Sequence, residues 1–314
     1  MTVIAKNAKK KKKGSSLYSF KRNIPLHLML LPALALLIIY SYGPMVGLKI
    51  AFEKFIPAKG LFGNQKFIGL NNFTYLLALP GAMRALRNTV VIAVWKIVLN
   101  LVVPIIVALL INEVRSARFR KIVQTVIYLP HFLSWIILSG ILIDMLSPST
   151  GLINKFLGLF GLGPYFFLGS NDLFQGTIIF TDIWKEFGYG TIVYLAAITS
   201  IDPSLYESAT VDGANKLQQT WHITLPGMRM IIVLMMVLSL GNVLNAGFDQ
   251  VFNLYSVSVY ETGDIIDTFI YRIGLIDAQY GVATAMGLFK SLVSTVFVSV
   301  SYFAAYKFAN YRIF

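Results

Sequence analysis

The 314-residue chain has no cysteine and few charged residues. Without thiols it can form neither disulfide bonds nor thiolate metal sites. Charged residues make up 13% of the sequence and hydrophobic residues 56%, and the mean hydropathy is +0.69. This composition is too apolar for an ordinary soluble domain. We therefore predict an integral membrane protein.

Motifs for catalysis and nucleotide binding are also missing. The sequence contains no Gly-x-x-x-x-Gly-Lys-Ser/Thr phosphate loop, so we expect the chain itself to bind no ATP. Its three histidines, His27, His131 and His222, lack metal-ligand spacing, so we expect no metal and no cofactor. An intramembrane hydrolase could use Asp144 and Asp182 as a catalytic pair, but no recognisable motif surrounds them. An enzyme is thus the weaker alternative.

Long apolar runs make up most of the chain. A helix needs about 20 mostly apolar residues to cross a hydrocarbon core of about 30 Å. Six runs meet this length: 26–48, 88–111, 122–146, 174–199, 228–248 and 284–308. The first run lacks the small-residue cleavage pattern of a signal peptide, so we expect it to remain in the membrane. We predict an all-α domain of six transmembrane helices over 26–314, after a basic tail at 1–25.

The net charge of +13 is unevenly distributed. Eight basic residues precede the first span, which by the positive-inside rule predicts a cytoplasmic N-terminus. The even number of predicted spans then places the C-terminus in the cytoplasm as well. This pattern favours a membrane lipid surface and not nucleic acid as the partner of the charges. The external segment 51–87 weakens the rule because it also carries five basic residues: Lys54, Lys59, Lys66, Arg84 and Arg87.

The predicted external segments differ in their local patterns. Apolar spacing from Asn72 to Leu86 predicts a helix lying on the membrane surface. The segments 148–172 and 250–283 are rich in Gly, Pro, Asn and Asp and are predicted to be loops with short helices.

Several spans contain polar or charged residues. A charge at mid-membrane costs about 3 to 17 kcal/mol, so these side chains must face protein or water. They are Asn100, Asp182, Lys185, Glu186, Asn242, Asn245 and Lys290. We expect Lys185 and Glu186 to pair with each other or with Asp182. An ion-coupled secondary transporter could use the same charges, although no inverted repeat is visible.

A polar stretch interrupts the apolar chain between the fourth and fifth spans: YESATVDGANKLQQTWHITLP, residues 206–226. Asp202 and Pro203 are typical of a helix start, although Ser204 and Glu207 also have the spacing of a capping box. Gly213 is typical of a helix end.

The second half of this stretch predicts another helix. The chain can resume helically from about Ala214 until Pro226 marks the approach to the fifth span. Two short helices with small residues at their turn would let another surface approach closely.

Three pieces of this stretch resemble the EAA loop of bacterial ABC importer permeases: Glu207-Ser208-Ala209, Gly213 and Ile223-Thr224-Leu225-Pro226. Ser208 stands where the family pattern Glu-Ala-Ala has its first alanine. The resemblance implies that this loop is the coupling helix, which docks in a cleft of a separate ATPase subunit that binds ATP and Mg. The implied coupling residues are Glu207, Ser208, Ala209, Asp212, Gly213, Leu225 and Pro226.

Further segments resemble the sugar-importing branch of that family: Phe67-Ile68-Gly69-Leu70-Asn71-Asn72-Phe73, Tyr128-Leu129-Pro130 and Trp184-Lys185. The implied fold is that of a type I ABC importer permease, similar to the first maltose permease subunit and to permeases of complex or polysaccharide systems. The implied partners are a second permease in a heterodimer, two ATPase subunits and an extracytoplasmic sugar-binding protein at a bacterial inner membrane. The implied activity is oligosaccharide import by alternating access. An accessory scaffold that binds the ATPase without transporting remains open.

The sugar contacts are expected on the fourth and fifth spans. Asn242 and Asn245 lie nearly one turn apart, with Asp249 continuing that face, and they match an Asn-x-x-Asn pair that contacts sugar in maltose-type permeases. Hydrogen bonding between helices is the alternative role for these amides. The aromatic candidates for stacking on sugar are Trp184, Tyr189 and Tyr194, which could instead anchor a span at the membrane interface.

Overall fold

The computed structural model describes residues 23–309 and is mostly helical. Residues 1–22 of the predicted basic tail therefore lie outside the described residues. The helices are α1 (Ile24–Leu37), α2 (Asn71–Ala78), α3 (Pro80–Asn112), α4 (Ala117–Tyr128), α5 (Trp135–Leu146), α6 (Leu152–Gly158), α7 (Asn171–Thr199), α8 (Pro203–Val211), α9 (Lys216–Gln219), α10 (Leu225–Leu240), α11 (Phe248–Leu254), α12 (Tyr260–Gly263), α13 (Ile266–Tyr271) and α14 (Tyr280–Ala309). A two-stranded antiparallel ribbon, β1 (Glu53–Lys54) with β2 (Lys66–Phe67), precedes α2.

Between residues 23 and 309, four helical stretches are long and apolar enough to cross a membrane: Ile24–Phe52, Pro80–Asn112, Lys216–Leu240 and Tyr280–Phe303. A fifth results if the bent pair α4 and α5 is one span. Helix α7 is not one of these stretches, since it carries the charged residues Asp182, Lys185 and Glu186. With 29 residues, at about 1.5 Å per residue, it is nevertheless long enough to cross a membrane. The multi-pass all-α fold is confirmed, and the count of six stays a prediction.

The third apolar run, 122–146, is not one continuous helix, contrary to expectation. The chain bends by 103° between α4 with its 3₁₀ turn, Leu129–Phe132, and α5. Pro130 lies in that turn, where it has no N–H to donate. Ser134 then caps a new helix by accepting a hydrogen bond from the Ile137 N–H. An apolar run reveals the membrane segment but not this break.

The predicted surface helix from Asn72 to Leu86 is also divided. Helix α2 ends at Ala78, and the remaining residues form the first turns of α3, which starts at Pro80. Leu79 is extended, with ψ 117°, as expected for a residue that precedes proline. The loops at 148–172 and 250–283 do contain short helices, as predicted.

The centre of the molecule is the packing of α3 against α7. Two glycines of α7 allow a close approach of neighbouring segments. A Cβ on Gly188 would lie 1.9 Å from the Ile127 carbonyl oxygen, and one on Gly190 would lie 3.2 Å from the Pro104 ring. The N-terminal span packs on α14 through its C-terminal part, Gly43–Phe52. This arrangement places α7 beside both α3 and the bent α4–α5 pair.

Candidate transport and coupling sites

A polar cavity of about 200 Å³ lies where α3, α7 and the turn after α10 meet. Its wall combines apolar residues with amide, hydroxyl and charged groups. The lining residues are Ala93, Lys96, Ile97, Asn100, Asp182, Ser239, Asn242, Asn245, Ala246 and Gly247. The two asparagines predicted as sugar contacts therefore share one cavity with Asn100 and Asp182.

Asp182 is the centre of a buried network beside this cavity. Its Oδ1 accepts from Lys96 Nζ at 2.9 Å, and its Oδ2 accepts from Asn100 Nδ2 at 2.9 Å. Lys96 and Asn100 lie one turn apart on α3, so they face α7 together. Both oxygens of the carboxylate are thus held by α3.

The same lysine anchors the chain that follows α10. Lys96 Nζ donates to the Ala246 carbonyl at 2.8 Å and to Gln250 Oε1. Gln250 Nε2 in turn donates to the Ile178 carbonyl at 2.8 Å and to Thr181 Oγ1 at 2.9 Å. The network therefore ties the turn that carries the two cavity asparagines to α3 and α7.

The prediction that Asn242 and Asn245 share one helical face is wrong. Helix α10 ends at Leu240, and both residues lie in the turn that follows. The Asn245 N–H donates to the Asn242 carbonyl at 2.8 Å, and Asn245 Oδ1 accepts from the Gly247 N–H at 3.2 Å. Gly247 has φ +91°, which favours glycine and turns the chain into α11. Asp249, on α11, does not line the cavity.

The three aromatic candidates lie in three different environments. Tyr194 is 1% exposed and packs with the buried core beside α3, so its predicted role as a sugar contact is wrong. Trp184 lines a separate apolar groove of about 570 Å³ formed mainly by α5 and α7. Tyr189 is 46% exposed and stacks on the His131 ring with centroids 4.0 Å apart. None of the three lines the polar cavity.

Lys185 and Glu186 form a second polar cluster near the bend of α4 and α5. Lys185 Nζ lies 2.7 Å from Glu186 Oε1 and donates to the His131 carbonyl at 3.0 Å. Glu186 Oε2 lies 2.6 Å from His131 Nδ1. The expected pairing of Lys185 with Glu186 is confirmed, whereas Asp182 pairs with Lys96. Lys290, another charged residue of the spans, pairs with Asp267.

Sequence reasoning missed Lys96, Gln250 and His131. A signal for Lys96 was present, because a lysine four residues before Asn100 in an apolar run must find a buried acceptor. Gln250 and His131 had no comparable signal, because the partner of each is set by tertiary packing.

The stretch predicted to be the coupling loop, residues 202–226, which we call the elbow, forms a helix-turn-helix, as predicted. Asp202 caps α8, its Oδ1 accepting from the Ser204 N–H at 2.9 Å. This N–H bond stabilises the carboxylate and lowers the pKa of Asp202 below its usual value. The alternative capping box of Ser204 with Glu207 does not form; Ser208 Oγ donates to the Ser204 carbonyl instead.

Gly213 ends α8 with φ +80°. Its N–H donates to the Thr210 carbonyl at 3.1 Å, and the Ala214 N–H donates to the Ala209 carbonyl at 2.8 Å. This pair of bonds is the Schellman motif, in which glycine takes the left-handed position. A Cβ on Gly213 would meet no atom of the chain within 4 Å. The backbone and not the local space therefore requires glycine here.

The second arm differs from the expected short helix. It begins with a capping box of Asn215 and Gln218 and then runs without interruption into α10. Pro226 was expected to mark the boundary between this helix and the fifth span. Instead, a π-helical segment, Thr220–Thr224, precedes Pro226, and the helical stretch continues through it. A π-bulge rearranges the local hydrogen bonds, so a proline in the following turn need not end the continuous helical stretch Lys216–Leu240.

The inner side of this elbow is a hollow of about 350 Å³. It is lined by Ala209, Asp212, Gly213, Ala214, Gln218, Gln219, His222 and Ile223. The other implied coupling residues, Glu207, Ser208, Leu225 and Pro226, lie outside the hollow. The most exposed large apolar side chains on the elbow are Val211 at 88%, Leu217 at 75% and Trp221 at 67%.

A family model for the binding-protein-dependent transport system inner membrane component matches residues 100–308, about two thirds of the chain. The chain belongs to this family of inner membrane transport components. A permease protein of a polygalacturonan/rhamnogalacturonan transport system from Bacillus subtilis (strain 168), YteP, is 39% identical to it over 98% of this chain and 95% of that protein.

Two solved structures resemble this inner membrane component closely. One is a crystal structure of a bacterial ABC transporter involved in the import of the acidic polysaccharide alginate. It has a TM-score of 0.86 and 41% identity over 93% of this chain and 98% of that one. The other is a bacterial alginate ABC transporter in complex with alginate pentasaccharide-bound periplasmic protein, with a TM-score of 0.86 and 40% identity over 94% and 98%.

These matches confirm the predicted family and fold. The inner membrane component is a multi-pass permease of an ABC importer and not an enzyme. They give no support to an intramembrane hydrolase or to an ion-coupled secondary transporter.

Proposed function

We propose that this permease pairs with a different second permease and imports an oligosaccharide by alternating access. The observation that carries the proposal is the polar cavity between the spans, lined by Asn242 and Asn245 and held by the Lys96–Asp182 pair. Amides and hydroxyls suit a ligand that is rich in hydroxyl groups. The binding protein would release its cargo into this cavity from outside the membrane.

The energy source in this proposal is an ATPase subunit docked on the elbow. The chain needs no cofactor of its own, because ATP and Mg would bind to that partner. Glu207 is exposed and has no ion pair among the described residues, and Val211 and Leu217 expose apolar surface beside it. A helix-turn-helix with such a surface fits a groove of a partner protein. ATP and loaded binding protein would then shift the bundle between its two states through their differential affinities.

The orientation follows from the basic tail. We place both termini and the elbow in the cytoplasm of a bacterial cell, with 51–87 outside. The elbow lies between α7 and α10, and its exposed basic residue Lys216 agrees with a cytoplasmic position. The binding protein would approach from the opposite side, where the β1–β2 ribbon and α2 lie.

The charge of the external segment favours an acidic oligosaccharide. Its five basic residues are all exposed, and none forms an ion pair within 23–309. Glu53 is the one acidic residue in 51–87. A surface of one sign attracts ligands of the opposite sign and raises their association rate. The relatives named for polygalacturonan and alginate agree with this class.

The test is vanadate-sensitive ATP hydrolysis by proteoliposomes that contain the permease, its second permease and the ATPase. Binding protein is added empty or loaded with a trimer of galacturonate, mannuronate or arabinose. We expect stimulation by an acidic trimer, with a smaller response to neutral arabinose, and loss of stimulation in Gly213→Asp. Sugar uptake that persists without the ATPase would overturn the proposal in favour of a secondary transporter. Stimulation of hydrolysis without uptake would indicate a scaffold.

A further inference from the structure

An open groove of about 400 Å³ runs along one face of α4. It is lined by Arg118, Lys121, Ile122, Thr125 and Val126. These residues are three and four positions apart, a spacing that places them on one side of the helix. All five are exposed, so the groove opens away from the rest of the chain.

The opposite face of α4 is fixed against the bundle. Val123 and Ile127 are half-buried there, and a Cβ on Gly188 of α7 would lie 1.9 Å from the Ile127 carbonyl oxygen. Arg120 also turns to this side, where its Nη2 donates to the Val114 carbonyl at 2.8 Å. Because α4 is held in this orientation, its groove faces lipid or a neighbouring subunit.

The chemistry of the groove changes along its length. Arg118 and Lys121 lie toward the end where α4 begins, and the apolar side chains of Ile122 and Val126 continue toward its other end. The Thr125 hydroxyl donates to the Lys121 carbonyl at 2.9 Å, so its hydrogen is used within the helix. A ligand that fits this order has an anionic group followed by a hydrocarbon chain.

The two cations of the groove are available to such a ligand. Neither Arg118 nor Lys121 forms an ion pair within residues 23–309. The segment 115–121 contains four basic residues and no acidic one. Two side chains three positions apart on a helix are neighbours, so both can reach one phosphate, which an arginine can bind through two parallel hydrogen bonds.

The basic end of the groove lies near the elbow. Glu113, which follows the last residue of α3, is 3.6 Å from Lys216 in the elbow, and α4 begins four residues later. The elbow is polar and charged, so it lies outside the hydrocarbon core. Arg118 and Lys121 are therefore at the membrane surface, where lipid headgroups lie, and the apolar end of the groove runs toward the hydrocarbon.

We propose that this groove binds one anionic phospholipid, with its phosphate held by Arg118 and Lys121 and one acyl chain lying along the apolar part. Basic pockets at the membrane surface are suited to such headgroups. The site is separate from the polar cavity and from the hollow of the elbow. The inference goes beyond the proposed function and does not depend on which sugar is imported.

The experiment counts the lipids that stay bound to the complete purified transporter, using native mass spectrometry. Delipidated protein is titrated with phosphatidylglycerol or with phosphatidylcholine, which has the same acyl chains and no net charge. The wild type should hold more phosphatidylglycerol than phosphatidylcholine. The double variant Arg118→Gln, Lys121→Gln should hold one phosphatidylglycerol fewer than the wild type, because loss of charge-assisted hydrogen bonds weakens that site about ten- to hundredfold. An unchanged count, as expected if the second permease covers this face, would overturn the proposal.

The matched control is the double variant Arg84→Gln, Arg87→Gln. These two exposed arginines are also three positions apart on one helix, α3, and form no ion pair with another described residue, but they do not line the groove. This variant should bind as many phosphatidylglycerol molecules as the wild type. An equal loss in the control would overturn the proposal, because binding would then follow the total charge of the protein.

Thr125→Trp tests the acyl chain separately from the headgroup. The indole fills the groove and leaves both cations in place, so this variant should also hold one phosphatidylglycerol fewer. It serves as the test if the Arg118, Lys121 double variant does not assemble, and the unfolding temperature without lipid shows whether each variant is folded. Wild-type binding by folded Thr125→Trp would overturn the proposal, because attraction of the headgroup alone needs no groove.

Discussion

The buried network around Asp182 and the elbow around Gly213 hold their shape in opposite ways. In the network, Lys96 and Asp182 are nearly buried, and their bonds join α3, α7 and the turn after α10. In the elbow, the backbone bonds that set the turn join residues at most five positions apart, the side-chain bonds between its two arms stay within residues 206–224, and the surface is open. The arrangement of the spans thus depends on contacts between residues far apart in the sequence. The elbow is formed by residues close in the sequence and leaves its surface free for a partner.

The sharpest test of this contrast is Lys96→Met. It leaves the Asp182 carboxylate buried without its cation, which should destabilise the folded protein by about 3–5 kcal/mol. The measurement is thermal unfolding of the purified permease in detergent. The exposed Lys216, paired with Glu113 at 3.6 Å, provides the control Lys216→Met.

Adding Asp182→Asn to Lys96→Met should restore part of that loss, because the unpaired charge is gone. If the single Lys96 variant unfolds at the wild-type temperature, the network does not stabilise the bundle and the contrast with the elbow disappears.

Gly188→Ala tests the close packing of α7. The added Cβ would meet the Ile127 carbonyl oxygen at 1.9 Å, so α4 must move, at a cost of about 1–3 kcal/mol or more. The control is Gly176→Ala on the same helix, where no atom lies within 4 Å and loss of unfolded-state freedom should stabilise by about 0.4–1 kcal/mol. Unfolding temperatures that shift in the same direction for both variants would contradict the packing.

The elbow could be predicted from the sequence because its determinants are local. Asp202 caps, Pro203 starts α8 and Gly213 ends it, each through bonds to residues close in the chain. Four of the six predicted membrane segments correspond to long apolar helices, because a continuous apolar run of about 20 residues usually forms a membrane-spanning helix.

The interior of the bundle was less predictable, for a physical reason. The bend before Ser134 and the end of α10 at Leu240 fall inside apolar runs that the sequence predicts as continuous spans. The partner of Asp182 was missed because the choice between Lys185 and Lys96 depends on how α3 packs on α7. Tyr194 was misassigned for the same reason, because nothing local distinguishes a buried ring from one that faces a cavity.

Gly213 allows backbone strain and partner contact to be separated. Gly213→Ala should destabilise the permease by about 1 kcal/mol, because a side chain in the left-handed region is strained. Gly213→Asn should cost less, since asparagine tolerates that conformation. Both should insert and fold, as measured by thermal unfolding in detergent.

ATP hydrolysis by the same two variants tests whether the ATPase contacts Gly213. If the ATPase covers Gly213, the alanine and asparagine side chains would both collide with the ATPase surface. Sugar-stimulated ATP hydrolysis should then fall in both variants, although asparagine preserves the turn. Normal stimulation in Gly213→Asn with a defect in Gly213→Ala would mean that the turn matters and the contact does not.

The smallest effect is expected at the link between the elbow and the end of α3. Lys216 and Glu113 are 74% and 47% exposed, and their 3.6 Å contact is screened by solvent. Glu113→Gln should therefore change the unfolding temperature and the ATPase stimulation little, because exposed pairs contribute about 0–1 kcal/mol. A loss comparable to that of Lys96→Met, measured in the same detergent, would show that the elbow depends on the bundle for its shape. The elbow would then join the spans in a single cooperative unit.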